Sequence, residues 1–303
     1  MPTLTPMIDP LIGERLRSAT RPLLSYEFFP PKTDAGMASL QEAVEGLAHT
    51  HPDFVTVTYG AGGSTRTLTQ DVAALLRRFR YGPVMPHLTC VGSSRSELCE
   101  IADRLWEDGF RNIMTLRGDP PKGQSDFITP ADGLSCARDL VMLLKERHPE
   151  FSLGIAGYPE GHPEAENPQA EMDYLKSKVD AGADFITTQL FLENDVYFRF
   201  VDRCQAAGIT VPVVPGLMPA MSLGQIRRIT AMCGAALPPE LVKRLEHAGD
   251  HAERVMSVGI LWCTEQIVDL LQQGVPGVHL YILNQIRPAM AYQLAQTFIE
   301  MTR

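Results

Sequence analysis

The sequence lacks the features of several common functional classes. No segment of its 303 residues is apolar enough and long enough to span a bilayer, and the first twenty residues lack a signal-peptide core. Basic residues are the minority, 27 against 36 acidic ones, which gives a net charge of −9. This balance argues against nucleic acid or an anionic membrane surface as the main partner, although a few local cations can still hold a small anionic ligand.

Cysteines are few and form no recognisable motif. The six cysteines, at 90, 99, 136, 204, 233 and 263, contain no Cys-x-x-Cys pair. A chain of this size does not need disulfide staples, so we expect reduced thiols in a cytoplasmic protein. His87 and Cys90 are three residues apart, but nothing nearby completes a four-ligand zinc site, so no metal is expected.

The sequence shows instead a regular alternation of two patterns. Short apolar runs, typical of strands buried on both faces, recur eight times. These runs lie at 23–29, 53–60, 84–90, 112–119, 151–158, 185–191, 211–218 and 278–284. Helical periodicity is found at 67–79, 96–109, 134–148, 169–182, 196–208 and 252–274, with extra helical material at 222–250 and 288–301.

This alternation predicts an α/β fold, a (β/α)8 TIM barrel with extra helices near the C-terminus. An open doubly wound sheet is the alternative, but such sheets usually carry a G-x-G-x-x-G turn, and none follows these strands. An apolar content of 45% suffices for one large core. We expect a single domain over 1–303, with 1–21 as an N-terminal extension.

Polar residues follow the predicted strands, at the end of a barrel where active sites form. In chain order they include Glu27, Thr58, Tyr59, His87, Arg117, Gly118, Asp119, Tyr158, His162 and Gln189. By itself Glu27 can be a solvated acid, Asp119 a turn cap and His87 a hydrogen-bonded core histidine. Gln189 lies in an apolar run, where an amide must be hydrogen-bonded or costs about 1–3 kcal/mol. The convergence of these residues on one rim indicates a site.

Two carboxyl groups on this rim have different expected environments. Glu27 precedes Phe28 and Phe29, and partial desolvation by these rings favours the protonated form that a general acid requires. Asp119 follows Arg117 in a polar turn and is expected to stay ionised. Carboxyl groups in different environments can take different catalytic roles.

The same stretches resemble the methylenetetrahydrofolate reductase family. The matching segments are SYEFFPPKT (25–33), VTVTYGAGGS (55–64), PHLTC (86–90), LRGDPP (116–121), AGYPEGHPEA (156–165), LKSKVDAGADFITTQLF (175–191) and VPVVPGLMP (211–219). The resemblance implies the catalytic TIM barrel of a flavoprotein oxidoreductase of one-carbon metabolism and methionine biosynthesis. It implies bound FAD, and reduction of 5,10-methylenetetrahydrofolate to 5-methyltetrahydrofolate with NAD(P)H.

The resemblance also implies residue roles. Glu27 corresponds to the general acid that protonates a ring nitrogen of the folate, and Asp119 to the acid beside flavin and pterin. Gln189, Leu223 and Gln285 correspond to substrate-binding positions, with Asp119 as a further anchor. The FAD-contacting positions are Thr58, Tyr59, Ala61, His87, Leu88, Arg117, Gly118, Asp119, Ala137, Tyr158, His162, Ala165 and Lys178.

Several positions depart from the family pattern. Cys136 replaces a tyrosine beside the flavin, Leu223 a phenylalanine that packs substrate, and Gln285 the arginine of an LNR motif that helps hold the folate tail. Arg287 is a candidate to compensate for that arginine. The resemblance also implies that Arg117 and Lys178 of this chain pair with the diphosphate of FAD through charge-assisted hydrogen bonds.

Two other functions remain open from the sequence. One is a flavin-independent folate reductase or another folate-handling barrel, which the changes at Cys136 and Gln285 permit. The other is a non-catalytic ligand-binding barrel, against which Glu27 argues because burying a lone acid is costly. The sequence does not separate NADH from NADPH. The family implies a homo-oligomer, a dimer or tetramer, with helix 288–301 as a candidate contact.

Overall fold

The computed structural model describes residues 8–59, 66–79, 81–118 and 130–302. Nine parallel strands form one sheet over these ranges. They are β1 (Leu23–Phe28), β2 (Phe54–Val57), β3 (Val84–Thr89), β4 (Asn112–Leu116), β5 (Ser152–Gly157), β6 (Phe185–Thr188), β7 (Val213–Val214), β8 (Gly216–Leu217) and β9 (Gly277–Tyr281). The sheet order is β7-β6-β5-β4-β3-β2-β1-β9-β8, so the predicted TIM barrel is confirmed.

The barrel closes through a single short run of chain. β7 pairs with β6 and β8 pairs with β9, and only Pro215 separates β7 from β8. Proline has no N–H to give to a strand ladder, which explains why the seventh predicted strand is split in two. Its carbonyl still accepts a hydrogen bond from the N–H of His279 at 2.9 Å, so the two ends of the sheet stay joined.

Eleven α-helices are found in the described ranges. They are α1 (Ile12–Ser18), α2 (Asp34–Leu47), α3 (Arg66–Arg78), α4 (Arg95–Glu107), α5 (Ala137–Arg147), α6 (Pro168–Asp180), α7 (Asn194–Ala206), α8 (Leu223–Cys233), α9 (Pro239–His247), α10 (Ala252–Gln272) and α11 (Met290–Met301). Short 3-10 helices lie at Ala48–Thr50 and Arg287–Ala289. No described helix is both long and apolar enough to cross a membrane.

Local sequence sets several helix boundaries. Ser94 caps α4 through a capping box with Glu97, since each side chain bonds the backbone N–H of the other residue. Asn167 and Ser222 accept backbone N–H bonds at the starts of α6 and α8. Gly234 ends α8 in the left-handed region, as a helix C-cap often does.

The helix α1 closes the amino end of the barrel. Its first N–H groups bond to strand residues, Ile12 N–H to Asn112 Oδ1 at 2.7 Å and Gly13 N–H to Ser152 Oγ at 2.9 Å. A side chain at Gly13 would meet Asp184 Cβ at 2.7 Å, so glycine permits this close approach. Ile12 and Leu16 join an apolar cluster with the inward-facing residues Leu23, Phe54, Met85, Met114, Phe185 and Val214. Part of the expected N-terminal extension is therefore packed against the barrel.

Candidate active site

Two adjoining cavities lie at the carboxyl ends of the strands. The larger, about 610 Å³, is lined by residues of most strand ends, together with residues of α8. The smaller, about 440 Å³, is lined by residues of β4, β5, α5 and α6 and of the loops that follow the two strands. The residues that border both cavities are Leu116, Arg117, Ala156, Tyr158 and His162. The two spaces therefore share one wall at the ends of β4 and β5.

Glu27 lines the larger cavity, with its carboxyl group between two histidines. Its Oε2 lies 3.6 Å from His87 Nε2 and 3.8 Å from His279 Nε2, and 19% of its side chain is exposed. Neighbouring side chains along a strand point to opposite faces, so Phe28 packs outside the barrel against Tyr81, with ring centroids 6.0 Å apart. Phe28 therefore does not desolvate this carboxyl, which lies within 4 Å of two histidines.

The two histidines differ in their partners. His279 is fully buried on β9, and its Nδ1 lies 2.8 Å from Ser25 Oγ. His87 is buried on β3, and its Nε2 has no hydrogen-bond partner among the described residues. Burial lowers the pKa of His87 to about 4, although Glu27 acts in the opposite direction. His87 is therefore neutral near pH 7, and one ring nitrogen faces the carboxyl of Glu27.

Other polar groups complete the wall around Glu27. Thr58 and Gln189 line the same cavity, and Gln189 Oε1 accepts the N–H of Leu190 at 2.8 Å. The amide is thus hydrogen-bonded, as its position in an apolar run requires. Tyr281 donates its O–H to the carbonyl of Thr188 at 2.7 Å. Burial raises the pKa of Tyr281 well above its usual value, so this group stays neutral.

The smaller cavity contains a buried cation. Lys178 is 6% exposed and donates from Nζ to the carbonyl of Ala156 at 2.8 Å. Burial lowers the pKa of Lys178 to about 8, while the nearby Glu171 opposes that shift. Glu171 accepts the N–H of His162 at 3.0 Å, and burial raises its pKa. Near pH 7 this wall therefore carries a desolvated positive charge that an anionic ligand would stabilise.

Arg117 stands where the two cavities meet. It forms a two-point pair with Glu164, with N···O distances of 2.6 and 3.0 Å. The next residue, Gly118, has φ +92°, and a Cβ there would lie 2.5 Å from Val91 Cγ1. Only glycine fits this bend at the end of β4.

The structure brings most of the predicted site residues together. The larger cavity is lined by Glu27, Thr58, Tyr59, His87, Arg117, Gly118, Tyr158, His162 and Gln189. The smaller is lined by Arg117, Ala137, Tyr158, His162, Ala165 and Lys178, and also by Cys136 at the start of α5. Ala61 and Asp119 lie outside the described residues.

Three predicted residues lie apart from these cavities. Leu88 is buried in the main core, Leu223 lines a separate groove beside α9 and α10, and Gln285 is exposed. Arg287, the candidate replacement for a tail-binding arginine, pairs with Glu253 at 2.6 Å. Within the described residues no group of three or more His, Cys, Asp or Glu side chains can hold a metal ion.

Sequence reasoning missed His279 and Ser25. Both lie in predicted strands. Ser25 is two residues before Glu27, and His279 is two residues before Tyr281, and this spacing was the available signal that each shares a face with its partner. Because strand side chains alternate between faces, residues two apart share a face. His279 and Ser25 are also paired in the register of β1 and β9.

Comparison with known proteins gives the family. The model of the family "Methylenetetrahydrofolate reductase" matches residues 12–293. The chain is 37% identical to "5,10-methylenetetrahydrofolate reductase" of Escherichia coli (strain K12), over 90% of each chain. It is also 37% identical to "Probable methylenetetrahydrofolate reductase (NADH)" of Oryza sativa subsp. japonica, over 93% of this chain and 49% of the rice protein. The chain thus spans about half the length of the plant relatives it matches.

Solved structures support the fold. An uncharacterized protein from Clostridium thermocellum, described as binding two copies of 5-methyl-5,6,7,8-tetrahydrofolic acid, superimposes with a TM-score of 0.64. The match covers 96% of this chain and 100% of the other, at 15% identity, so it shows the shared fold alone. The match to the family model and the identity to the bacterial relatives go further. By these two findings, the chain belongs to the methylenetetrahydrofolate reductase family.

Proposed function

We propose that the protein reduces 5,10-methylenetetrahydrofolate to 5-methyltetrahydrofolate with NAD(P)H and a bound FAD. The observation that carries this proposal is the position of Glu27, a carboxyl group between two buried histidines in a cavity at the carboxyl end of the barrel. Family membership supplies the reaction class, and the names of the relatives supply the folate substrate.

The donor set of the two cavities fits FAD. Lys178 carries a buried positive charge whose hydrogen-bond acceptor is the neutral carbonyl of Ala156, and a diphosphate supplies the anion that such a group favours. Arg117, which pairs with Glu164 in this structure, is the second cation where the cavities meet. Lys178 and Arg117 would hold the cofactor, and bound FAD would supply hydride transfer between the nicotinamide and the folate.

The roles of the protein's own side chains follow from the larger cavity. Glu27 donates a proton to a ring nitrogen of the substrate, and the five-membered ring then opens to an electrophilic iminium. Gln189 lines the same cavity, and its amide contacts the pterin and, in the other half-reaction, the nicotinamide. Thr58 lies on the same wall, and it is proposed to contact the nicotinamide. Asp119 is proposed to anchor the pterin and to tune the flavin by its charge.

Wider properties are proposed from the family alone. We infer a single catalytic domain, a cytoplasmic homo-oligomer and a place in one-carbon and methionine metabolism. Leu223 and Gln285 are proposed to contact the substrate beyond the pterin. The name of the rice relative specifies NADH, which makes NADH the first nicotinamide to test.

The test uses the colour of the purified protein. It should be yellow, lose that colour when NADH or NADPH is added without oxygen, and regain it when methylenetetrahydrofolate follows. A colourless protein that still oxidises nicotinamide with folate would contradict the role of FAD. A yellow protein that bleaches but never recolours with folate would contradict the proposed substrate.

A further inference from the structure

The carboxyl group of Glu27 has polar neighbours that burial of a general acid does not require. Three inward-facing residues from three strands meet there: Glu27 of β1, His87 of β3 and His279 of β9. A fourth, Ser25, lies one inward position below Glu27 and contacts His279 at 2.8 Å. A carboxyl group in an apolar wall would also be desolvated, so the histidines call for a separate explanation.

His87 offers the carboxyl an acceptor. Its Nε2 is buried, has no hydrogen-bond partner among the described residues and lies 3.6 Å from Glu27 Oε2. A neutral imidazole accepts a hydrogen bond at one nitrogen, and a carboxyl group donates only when it is protonated. Hydrogen bonding to the neutral form of an acid favours that form. Catalytic hydrogen bonds are often long before substrate binds and tighten in the complex.

His279 differs from His87 because Ser25 contacts its other ring nitrogen and can hold it in a tautomer that donates a hydrogen bond. The Ser25 hydroxyl lies 2.8 Å from His279 Nδ1 and 3.4 Å from the carbonyl of Val278. The hydroxyl can donate to Nδ1, or it can accept from Nδ1–H while donating to the carbonyl. Ser25 therefore supports either neutral tautomer of His279, and in one of them Nε2–H points towards the carboxylate of Glu27.

We propose that His87 and His279 are positioning residues that hold Glu27 in its two protonation states, a role that rests on the proposed function. His87 Nε2 accepts the hydrogen bond of the protonated carboxyl before catalysis. As the Glu27 O–H bond breaks and the folate N–H bond forms, the carboxylate turns to Nε2–H of His279. Solvent restores one proton per turnover, as the reduction by NAD(P)H requires.

Other titratable groups line the same cavity. Tyr281 of β9 is neutral and donates to Thr188, and Arg117 is paired with Glu164. The remaining titratable groups that line the same cavity in the described residues are Tyr59, Tyr158, His162 and Cys233. Both histidines lie within 4 Å of the Glu27 carboxyl.

The experiment measures both half-reactions of the flavin-loaded protein by rapid mixing between pH 6 and 9. His87→Leu should move the alkaline decline of the folate half-reaction to lower pH by about half to one unit, since one hydrogen bond contributes about 0.5–1.5 kcal/mol. His87→Gln keeps an acceptor and should restore the wild-type profile.

His279→Asn should lower the plateau rate about 10- to 100-fold, as expected for a lost bond to a charged group. Ser25→Ala should give part of that loss.

The reduction of flavin by nicotinamide is the internal control for His279→Asn and Ser25→Ala and should change less than about threefold in both, because that step does not need the Glu27 proton. For His87, a predicted flavin contact, the control is the comparison of His87→Leu with His87→Gln, which differ in the hydrogen-bond acceptor. His148→Gln is the matched control. It removes a histidine–carboxylate pair with Asp103 on the outer surface, at 2.8 Å, and should leave both half-reactions unchanged.

Two results would overturn the inference. One is an unchanged folate half-reaction in His87→Leu and His279→Asn. The other is an equal slowing of both half-reactions, which would indicate packing alone. Failure of the proposed function is distinguishable, because the wild-type protein would then show no folate half-reaction at any pH.

Discussion

The two ends of the barrel are built from the same strands but from opposite chemistry. At the amino end the inward-facing residues are apolar and pack against α1. At the carboxyl end the inward-facing residues of β1, β3, β6 and β9 are polar, and together with apolar residues such as Leu116 and Ala156 they surround a cavity of about 610 Å³. The inward-facing series, from amino to carboxyl end, are Leu23, Ser25 and Glu27 on β1; Met85, His87 and Thr89 on β3; and Phe185, Thr187 and Gln189 on β6 and its exit.

Along each of these strands, the inward-facing residues near the amino end contribute to stability and those near the carboxyl end contribute to the chemistry. The apolar layer and α1 bury surface that stabilises the fold. The polar layer above it costs stability unless its groups are paired, and in return it positions reactive side chains. Changes at the amino end should therefore alter unfolding, whereas changes at the carboxyl end should alter activity.

The largest effect should come from Glu27→Gln. Loss of a general acid typically costs 10²- to 10⁴-fold, and we expect at least a 100-fold fall in folate reduction. The midpoint of thermal unfolding should stay the same or rise, because a neutral amide is easier to bury than a carboxyl group. Glu45→Gln on the exposed face of α2 is the control and should leave both quantities unchanged.

The opposite end is tested by Ile12→Ala. Ile12 is fully buried, so truncation should lower the free energy of unfolding by about 2–5 kcal/mol, measured by urea denaturation. Flavin content and rate per folded molecule should not change. Ile8→Ala removes the same atoms from a side chain that is 61% exposed and should cost under about 0.5 kcal/mol. A loss of activity without a loss of stability in Ile12→Ala would break the comparison.

The charge of the smaller cavity is tested by Lys178→Met. Removal of a charge-assisted bond, about 1.5–3 kcal/mol, should weaken FAD binding about 10- to 100-fold, measured by flavin fluorescence quenching. Because burial lowers the pKa of Lys178 to about 8, the cation is lost above that pH. FAD affinity of the wild-type protein should therefore fall from pH 7 to pH 9, and Lys178→Met should lack that fall.

Lys176→Met is the control for this change. Lys176 lies two residues away on α6 and pairs with Asp180 on the surface. Equal weakening of FAD binding by both substitutions would indicate a general loss of positive charge and not a site at Lys178.

The smallest effect should come from Gln285→Arg at the exposed rim. An exposed ion pair contributes about 0.2–1 kcal/mol, so an arginine facing the acidic folate tail should lower KM about two- to fivefold with kcat unchanged. Gln273→Arg adds the same charge at the amino end, between α10 and β9. An equal fall of KM in both variants would reflect net charge and would remove the distinction between the two ends.

The architecture was predictable because the alternation of strand and helix patterns is repeated along the whole chain. The convergence of rim residues followed from it, since parallel strands all end at one mouth. The short helix α1 has only seven residues and too little periodicity to be recognised. The amphipathic α2 also lay outside the predicted helices, and Pro215 split a strand that looked continuous.

The surroundings of Glu27 were not predictable from its sequence neighbours. Its neighbours in sequence point to the other face of β1, and its neighbours in space come from strands 60 and 252 residues away. His87 was singled out as a flavin contact, and His279 was not singled out at all. Pairing register, which a single sequence does not reveal, decides which side chains share a layer.

The most direct test of the central claim is to time the two half-reactions of Glu27→Gln separately by anaerobic rapid mixing. Reduction of the flavin by NADH should proceed within about threefold of the wild-type rate, since it needs no proton from the carboxyl. Reoxidation by methylenetetrahydrofolate should slow at least about 100-fold. Equal rates for reoxidation in the variant and the wild-type protein would show that Glu27 is not the acid and would contradict this account.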